Sequence, residues 1–158
     1  MSTESSNTSP SLWRGLVAGL IAGLVATAAK SVAEKFYPPH SNSEPEPSEL
    51  LTERIAGQPL DPSTEQAASE AIHWGFGAAA GAFYGALVEF YPAATSKEGA
   101  NFGLTLMALT HEGVLPAMAL GPPPEQQTER EQSSEAVSHL IYGVVAERIR
   151  SIVRSLLD

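Results

Sequence analysis

Apolar and polar residues fall along this chain in long blocks. The first eleven residues, MSTESSNTSPS, are polar and lack the basic start of a signal peptide, so they read as a disordered tail. An apolar block follows from Gly15 to Ala29, flanked by Trp13 and Arg14 before it and Lys30 after it. The second block runs from Ala71 to Val88, enough for roughly 27 Å of helix at 1.5 Å per residue. The third, Gly99 to Leu120, is interrupted by His111, Glu112 and Pro116. The fourth opens at Ala136 to Ala146 and continues amphipathically through Ile149, Ile152, Val153, Leu156 and Leu157. These blocks predict one domain over residues 12–158, with helices at about 12–36, 69–91, 98–120 and 134–156.

Two polar stretches separate them. Pro38 to Gln66 is rich in Pro, Ser and Glu, with room for a short helix around Glu49 to Ile55, and Gly121 to Ser133 contains three successive prolines. A tight turn around Pro92 to Glu98 joins the second and third blocks. Four helices then place both acidic loops on one side. The N-terminus, Lys97 and the C-terminal Arg148, Arg150 and Arg154 fall on the other. Basic residues favour the cytoplasmic side, so the termini are expected inside and the acidic loops outside.

Glycine decides between water and lipid as the surrounding medium. Gly15, Gly19 and Gly23 recur every fourth residue, continued by Thr27 and Ser31, and Gly77, Gly81 and Gly85 do the same in the second block. Each costs about 1 kcal/mol against alanine in a water-exposed helix interior. In a bilayer, small residues at this spacing let helix backbones approach closely. The expected fold is therefore all-α, an integral membrane four-helix bundle with the lipid bilayer as its first partner. An exposed glycine ridge would also suit a homo-oligomer or another membrane protein.

A mean hydropathy of −0.04 reads as soluble only because the blocks cancel in the average. Net charge is −9 and the pI is about 4.8, which argues against a nucleic-acid surface. The absence of cysteine excludes disulfides, zinc–thiolate sites and thiol nucleophiles.

Ser69 to Gly77, SEAIHWGFG, resembles Ser134 to Gly143, SEAVSHLIYG. Each follows an apolar helix that ends in prolines, which suggests two duplicated helical hairpins and makes His73 equivalent to His139. The repeat axis would then lie along the membrane normal. Ser69 and Ser134 also suit helix N-caps, with Glu70 and Glu135 in the first turn.

Ionisable residues inside such helices are costly and tend to face the bundle interior. Lys30, Glu34, His73, His111, Glu112, Glu135 and His139 all fall towards the outer ends and are expected to converge there. Glu135, His139, Gly143 and Glu147 recur every fourth residue on the last helix. Three readings stay open: structural pairing, a protonatable cluster built on histidine, and a metal site drawn from His73, His111, Glu112, Glu135 and His139. No cofactor is specified. Glu89 sits near the opposite end, with Lys97 or the C-terminal arginines as partners.

The order of these motifs resembles the YagU-type family of small bacterial inner-membrane proteins. The matching residues are Lys30-x-x-x-Glu34 before Pro38-Pro39, His73 with Gly77 and Gly81, the acidic residue before Pro116, and the proline-rich stretch. Glu135 to His139 ahead of Tyr142-Gly143 and Glu147 completes the set, while His40 replaces the basic residue expected after the prolines. The resemblance implies a multi-pass inner-membrane protein and supplies no established active site. The functional expectation is a protein without catalytic activity whose outward cluster senses protons or supports envelope stress tolerance. A metal-binding membrane enzyme is the alternative. No triad, phosphate loop or dinucleotide fingerprint is present.

Overall fold

A computed structural model describes residues 9–39 and 45–157. Most of the N-terminal tail and His40 lie outside those residues. Among the described residues the structure is all-α, without strands. Helix α1 spans Leu12–Phe36, and the Ser11 hydroxyl caps it by accepting from the Arg14 amide. Helix α2, Pro47–Ala56, opens with a capping box between Glu46 and Glu49 and stops at Gly57, which takes a left-handed φ of 64°. Helix α3 covers Pro62–Phe90. A 3-10 stretch at Pro92–Gly99 leads into α4, Ala100–Leu109, which continues through a π turn at Thr110–Val114 into the short α5, Leu115–Ala117. Helix α6, Glu129–Leu156, closes the chain.

Two helix starts differ from the sequence expectation. Helix α3 begins at Pro62 rather than near 69, because Asp61 accepts from the Thr64 amide and Pro62 suits the first turn. Helix α6 begins at Glu129 rather than near 134, with a capping box between Thr128 and Glu131. The added turns are polar and carry no apolar period. Ser69 and Ser134 are consequently not caps but interior residues, bonded to the Ser48 hydroxyl and the Tyr37 carbonyl. The third expected helix runs without a break from Ala100 to Ala117 but carries a π turn inside it.

Helix α1 is central, with α3 against one side and α6 against another; α4 packs on α6, and α2 rests on α3. Helices α1 and α3 run antiparallel with their glycines facing each other. A β-carbon on Gly23 would lie 2.5 Å from the Gly77 carbonyl oxygen, and one on Gly15 would lie 2.7 Å from that of Gly85. A second close approach joins α4 to α6, where a β-carbon on Gly143 would fall 2.9 Å from the Gly103 Cα.

The interior holds few large apolar side chains. Helix α1 buries Gly15, Ala18, Gly19, Ala22, Gly23, Ala26 and Thr27, while Leu20, Ile21, Leu24, Val25 and Val32 face outward. On α3, Phe76, Phe83 and Phe90 point out at heptad spacing, whereas Tyr84 is fully buried. Tyr84 stacks on Phe102 with ring centroids 4.2 Å apart and anchors a small cluster with Val88, Tyr142 and Ala146.

Candidate functional site

Among the described residues, the buried ionisable groups collect at the two ends of α6. At its N-terminal end, Glu135 is only 5 % exposed. Its Oε2 lies 3.3 Å from His111 Nε2, 3.3 Å from His139 Nδ1 and 3.7 Å from Lys30 Nζ. Lys30 also pairs with Glu34 one turn along α1. The His111 and His139 rings meet edge to face at 4.9 Å. Glu135 Oε2 is buried yet has no geometrically sound hydrogen bond among the described residues.

Local structure explains how His111 arrives there. A π turn inserts an extra residue into the helical repeat, which rotates the side chains that follow. The Gln127 amide donates to the His111 carbonyl at 3.2 Å and to the Pro122 carbonyl at 3.1 Å, tying the turn to the proline-rich loop. His139 is held from its own helix, its Nδ1 lying 2.9 Å from the Glu135 backbone carbonyl. A carbonyl can only accept, so Nδ1 carries the proton and Nε2 is left as the acceptor of the neutral ring. Beside the carboxylate lies a cavity of about 20 Å³, lined by Pro47, His111, Gln127, Glu131 and Glu135 among others. That is room for one water or one small ion.

Five of the seven residues expected to converge are brought together: Lys30, Glu34, His111, Glu135 and His139. His73 stands apart from this carboxylate, with Nε2 3.2 Å from the Ser31 hydroxyl. Glu112 is exposed and joins none of the cluster among the described residues. The two segments of the proposed repeat also diverge, since Glu70 is exposed and accepts from the Trp74 indole whereas Glu135 turns inward.

As metal ligands, His111, Glu135 and His139 offer three atoms within 4.8 Å of one another. His73 and Glu112, the other two candidates, are not part of that group. The 3.3 Å separation of His111 Nε2 from Glu135 Oε2 matches the edge of a tetrahedral zinc site, about 3.4 Å for bonds near 2.1 Å, whereas the His139 atom at the same distance is the protonated Nδ1. The Lys30 ammonium competes for the same carboxylate.

A second buried network lies at the opposite end of α6. Glu89 accepts from the Ser11 amide at 2.8 Å and pairs with Arg154. Glu147 accepts from the Tyr84 hydroxyl and from two guanidinium nitrogens of Arg150, each at 2.8 Å. Between the two ends, the Tyr142 hydroxyl donates to the Gly77 carbonyl at 2.6 Å. Sequence reasoning named the C-terminal arginines as partners for Glu89 but missed Tyr84, Tyr142 and the Glu147–Arg150 pair. The i,i+3 spacing of that last pair was the available signal.

Both networks sit within or beside one continuous match. Residues 24–148 match the family described as protein of unknown function (DUF1440). The chain belongs to the DUF1440 family. The matched span holds all five clustered residues and stops short of Arg150 and Arg154. No curated protein and no solved structure matches this DUF1440 chain.

Proposed function

We propose that this chain is a multi-pass protein of the bacterial inner membrane, of YagU type, whose outward cluster accepts a cation, in the simplest case a proton. In this reading α1, α3, α4 with α5, and α6 cross the bilayer as a four-helix bundle. The termini and the Pro92–Gly99 turn lie on the cytoplasmic side.

The inverted side-chain distribution supports the membrane. Helices α1 and α3 are long and apolar enough to cross one, and most of their apolar bulk faces outward. The core helix of a water-soluble bundle buries its large apolar residues. Here those positions hold glycine and alanine, while leucine, valine and phenylalanine cover the outside.

The observation that carries the functional reading is the Glu135 carboxylate, buried against two imidazoles and one ammonium. Lys30 supplies one positive charge and Glu34 with Glu135 two negative ones, so with both imidazoles neutral the cluster lacks one positive charge. Glu131 lines the adjoining cavity and adds no cation. A proton on His111 or His139 closes that deficit, and histidine gains its proton in the physiological range. A support role in envelope stress is consistent with such a response.

The test has two stages. The chain should stay in membranes washed with alkaline carbonate, and protease added from outside should cut the loops around Pro47 and Gln126. Purified protein should then show a pH-dependent change in tryptophan fluorescence between pH 8 and 5. His111→Gln with His139→Gln should remove that change, and His73→Gln should leave it. A change that persists in the double variant refutes the proton reading, and full recovery in the soluble fraction refutes the membrane.

A further inference from the structure

We propose that His111, Glu135 and His139 form a binding site for one divalent transition-metal ion of the zinc class. The inference rests on the reading of this cluster as a cation acceptor; it does not depend on which helices cross a membrane.

Four observations meet here. Two imidazoles and a carboxylate, the donor set of many zinc and iron sites, converge from two separate elements within 4.8 Å. Glu135 Oε2 is buried without a hydrogen bond, although a carboxylate oxygen in that position ordinarily finds a donor. The cavity beside His111 and Glu135 has about 20 Å³ of space, enough for the ion or for the water that completes its coordination. Finally, both histidines are held from behind. The backbone of His111 is fixed by Gln127, and His139 Nδ1 sits on the Glu135 carbonyl, the outer-shell arrangement typical of a histidine that ligates through Nε2.

Lys30 makes the site switchable. Its ammonium lies 3.7 Å from the same carboxylate oxygen and is already paired with Glu34. When the ion binds, Lys30 keeps Glu34 and gives up Glu135. No covalent bond or electron is exchanged, only one cation for another at Glu135. Among the described residues, Glu34 on α1 and Glu131 on α6 are acidic groups near the site, and neither repels a cation.

The experiment uses the full chain purified in detergent after chelator treatment, with zinc alone titrated by calorimetry and cobalt alone followed by absorbance. One ion per chain is expected, with d–d bands in the visible for cobalt. Glu135→Gln and His139→Gln should each weaken binding at least a hundredfold. His111→Gln, on the more exposed π turn, should do the same while helicity by circular dichroism stays unchanged, so a folding defect in the other two cannot hide the result. Lys30→Met should bind at least tenfold tighter. Absence of stoichiometric metal in the folded chain overturns the site, as does binding that survives His111→Gln or gains nothing from Lys30→Met. If metal fails while the pH-dependent fluorescence change persists, the metal site falls and the proton reading stands. If both fail, the cluster is structural.

Discussion

Gly81 sits at the centre of the α1–α3 seam, and replacing it with alanine tests whether backbone contact holds these helices together. The new β-carbon would lie 2.5 Å from the Gly19 carbonyl oxygen and 2.6 Å from the Gly23 amide nitrogen. Favourable contacts between heavy atoms begin near 3.5 Å, so α1 and α3 must part by about 1 Å. Both obstructing atoms are backbone, and no rotamer change relieves the clash. Overpacking of this kind costs roughly 1–3 kcal/mol. Alanine also returns about 1 kcal/mol of helix propensity, which blurs the reading of one variant alone.

Gly75 removes that ambiguity. It lies in the same helix, and a β-carbon there meets nothing within 4 Å. Gly75→Ala collects the propensity gain without the clash. The difference between the two variants is therefore the packing cost itself, about 1–3 kcal/mol in favour of Gly75→Ala. Reversible unfolding in mixed micelles, titrated with a denaturing detergent and followed by circular dichroism, measures it. Equal stabilities, or a more stable Gly81→Ala, would refute the close seam.

Three further outcomes follow from the polar ends. Glu135→Gln leaves Lys30 and the histidines without their buried counter-charge and should cost about 3–5 kcal/mol of stability in the same assay; a loss under about 1 kcal/mol would mean the group is solvated. Glu89→Gln and Arg154→Gln should each destabilise, while the double variant should lose less than their sum by about 0.5–3 kcal/mol, and strict additivity would show that the pair is not coupled. Asp61 lies in the loop before α3, where hydrogen bonds from Ser63 and then Thr64 hold its carboxyl down at about 2. A depressed folded value means that its stabilisation is complete above the unfolded value of about 3.9 and disappears as pH falls through about 2. Carboxyl carbon NMR should place its midpoint near 2, and a midpoint near 4 would remove the cap.

The helical class and the main polar residues were readable from the chain, and the physics explains where reading stopped. Apolar blocks report only the part of a helix that sits against other helices or apolar surroundings. The polar first turns of α3 and α6, Pro62 to Ala68 and Glu129 to Ser133, fell outside that signal, although Asp61-Pro62 and Thr128-x-x-Glu131 marked their starts. Four-residue spacing identified which glycines form ridges, but not that α1 and α3 spend their ridges on each other. His111 was legible as a polar interruption. Its inward orientation depends on a π turn, and no residue count along an ideal helix predicts that rotation. His73 and His139 share a sequence context yet have different partners, because His73 faces Ser31 of α1 while His139 faces its own helix and the π turn.

The two polar ends also answer a problem that the glycine seam creates. A ridge repeating every four residues nearly matches itself after a slip of four, about 6 Å along the axis. Backbone contact alone would therefore tolerate more than one register between α1 and α3. Such a slip would carry Glu89 away from the Ser11 amide and from Arg154. It would also break the Tyr142 bond to the Gly77 carbonyl. The same displacement of α1 against α6 would separate Lys30 from Glu135. Buried polar contacts add little net stability over apolar packing, but leaving one unpaired is expensive. Their effect falls on the wrong registers rather than the right one. A seam of near-identical small residues sets how closely the helices approach, and charges placed at both ends of α6 set where along each other they stop. If the cluster around Glu135 accepts a cation as proposed, the end of α6 that helps to fix the register is also the end whose hold changes with the cation present.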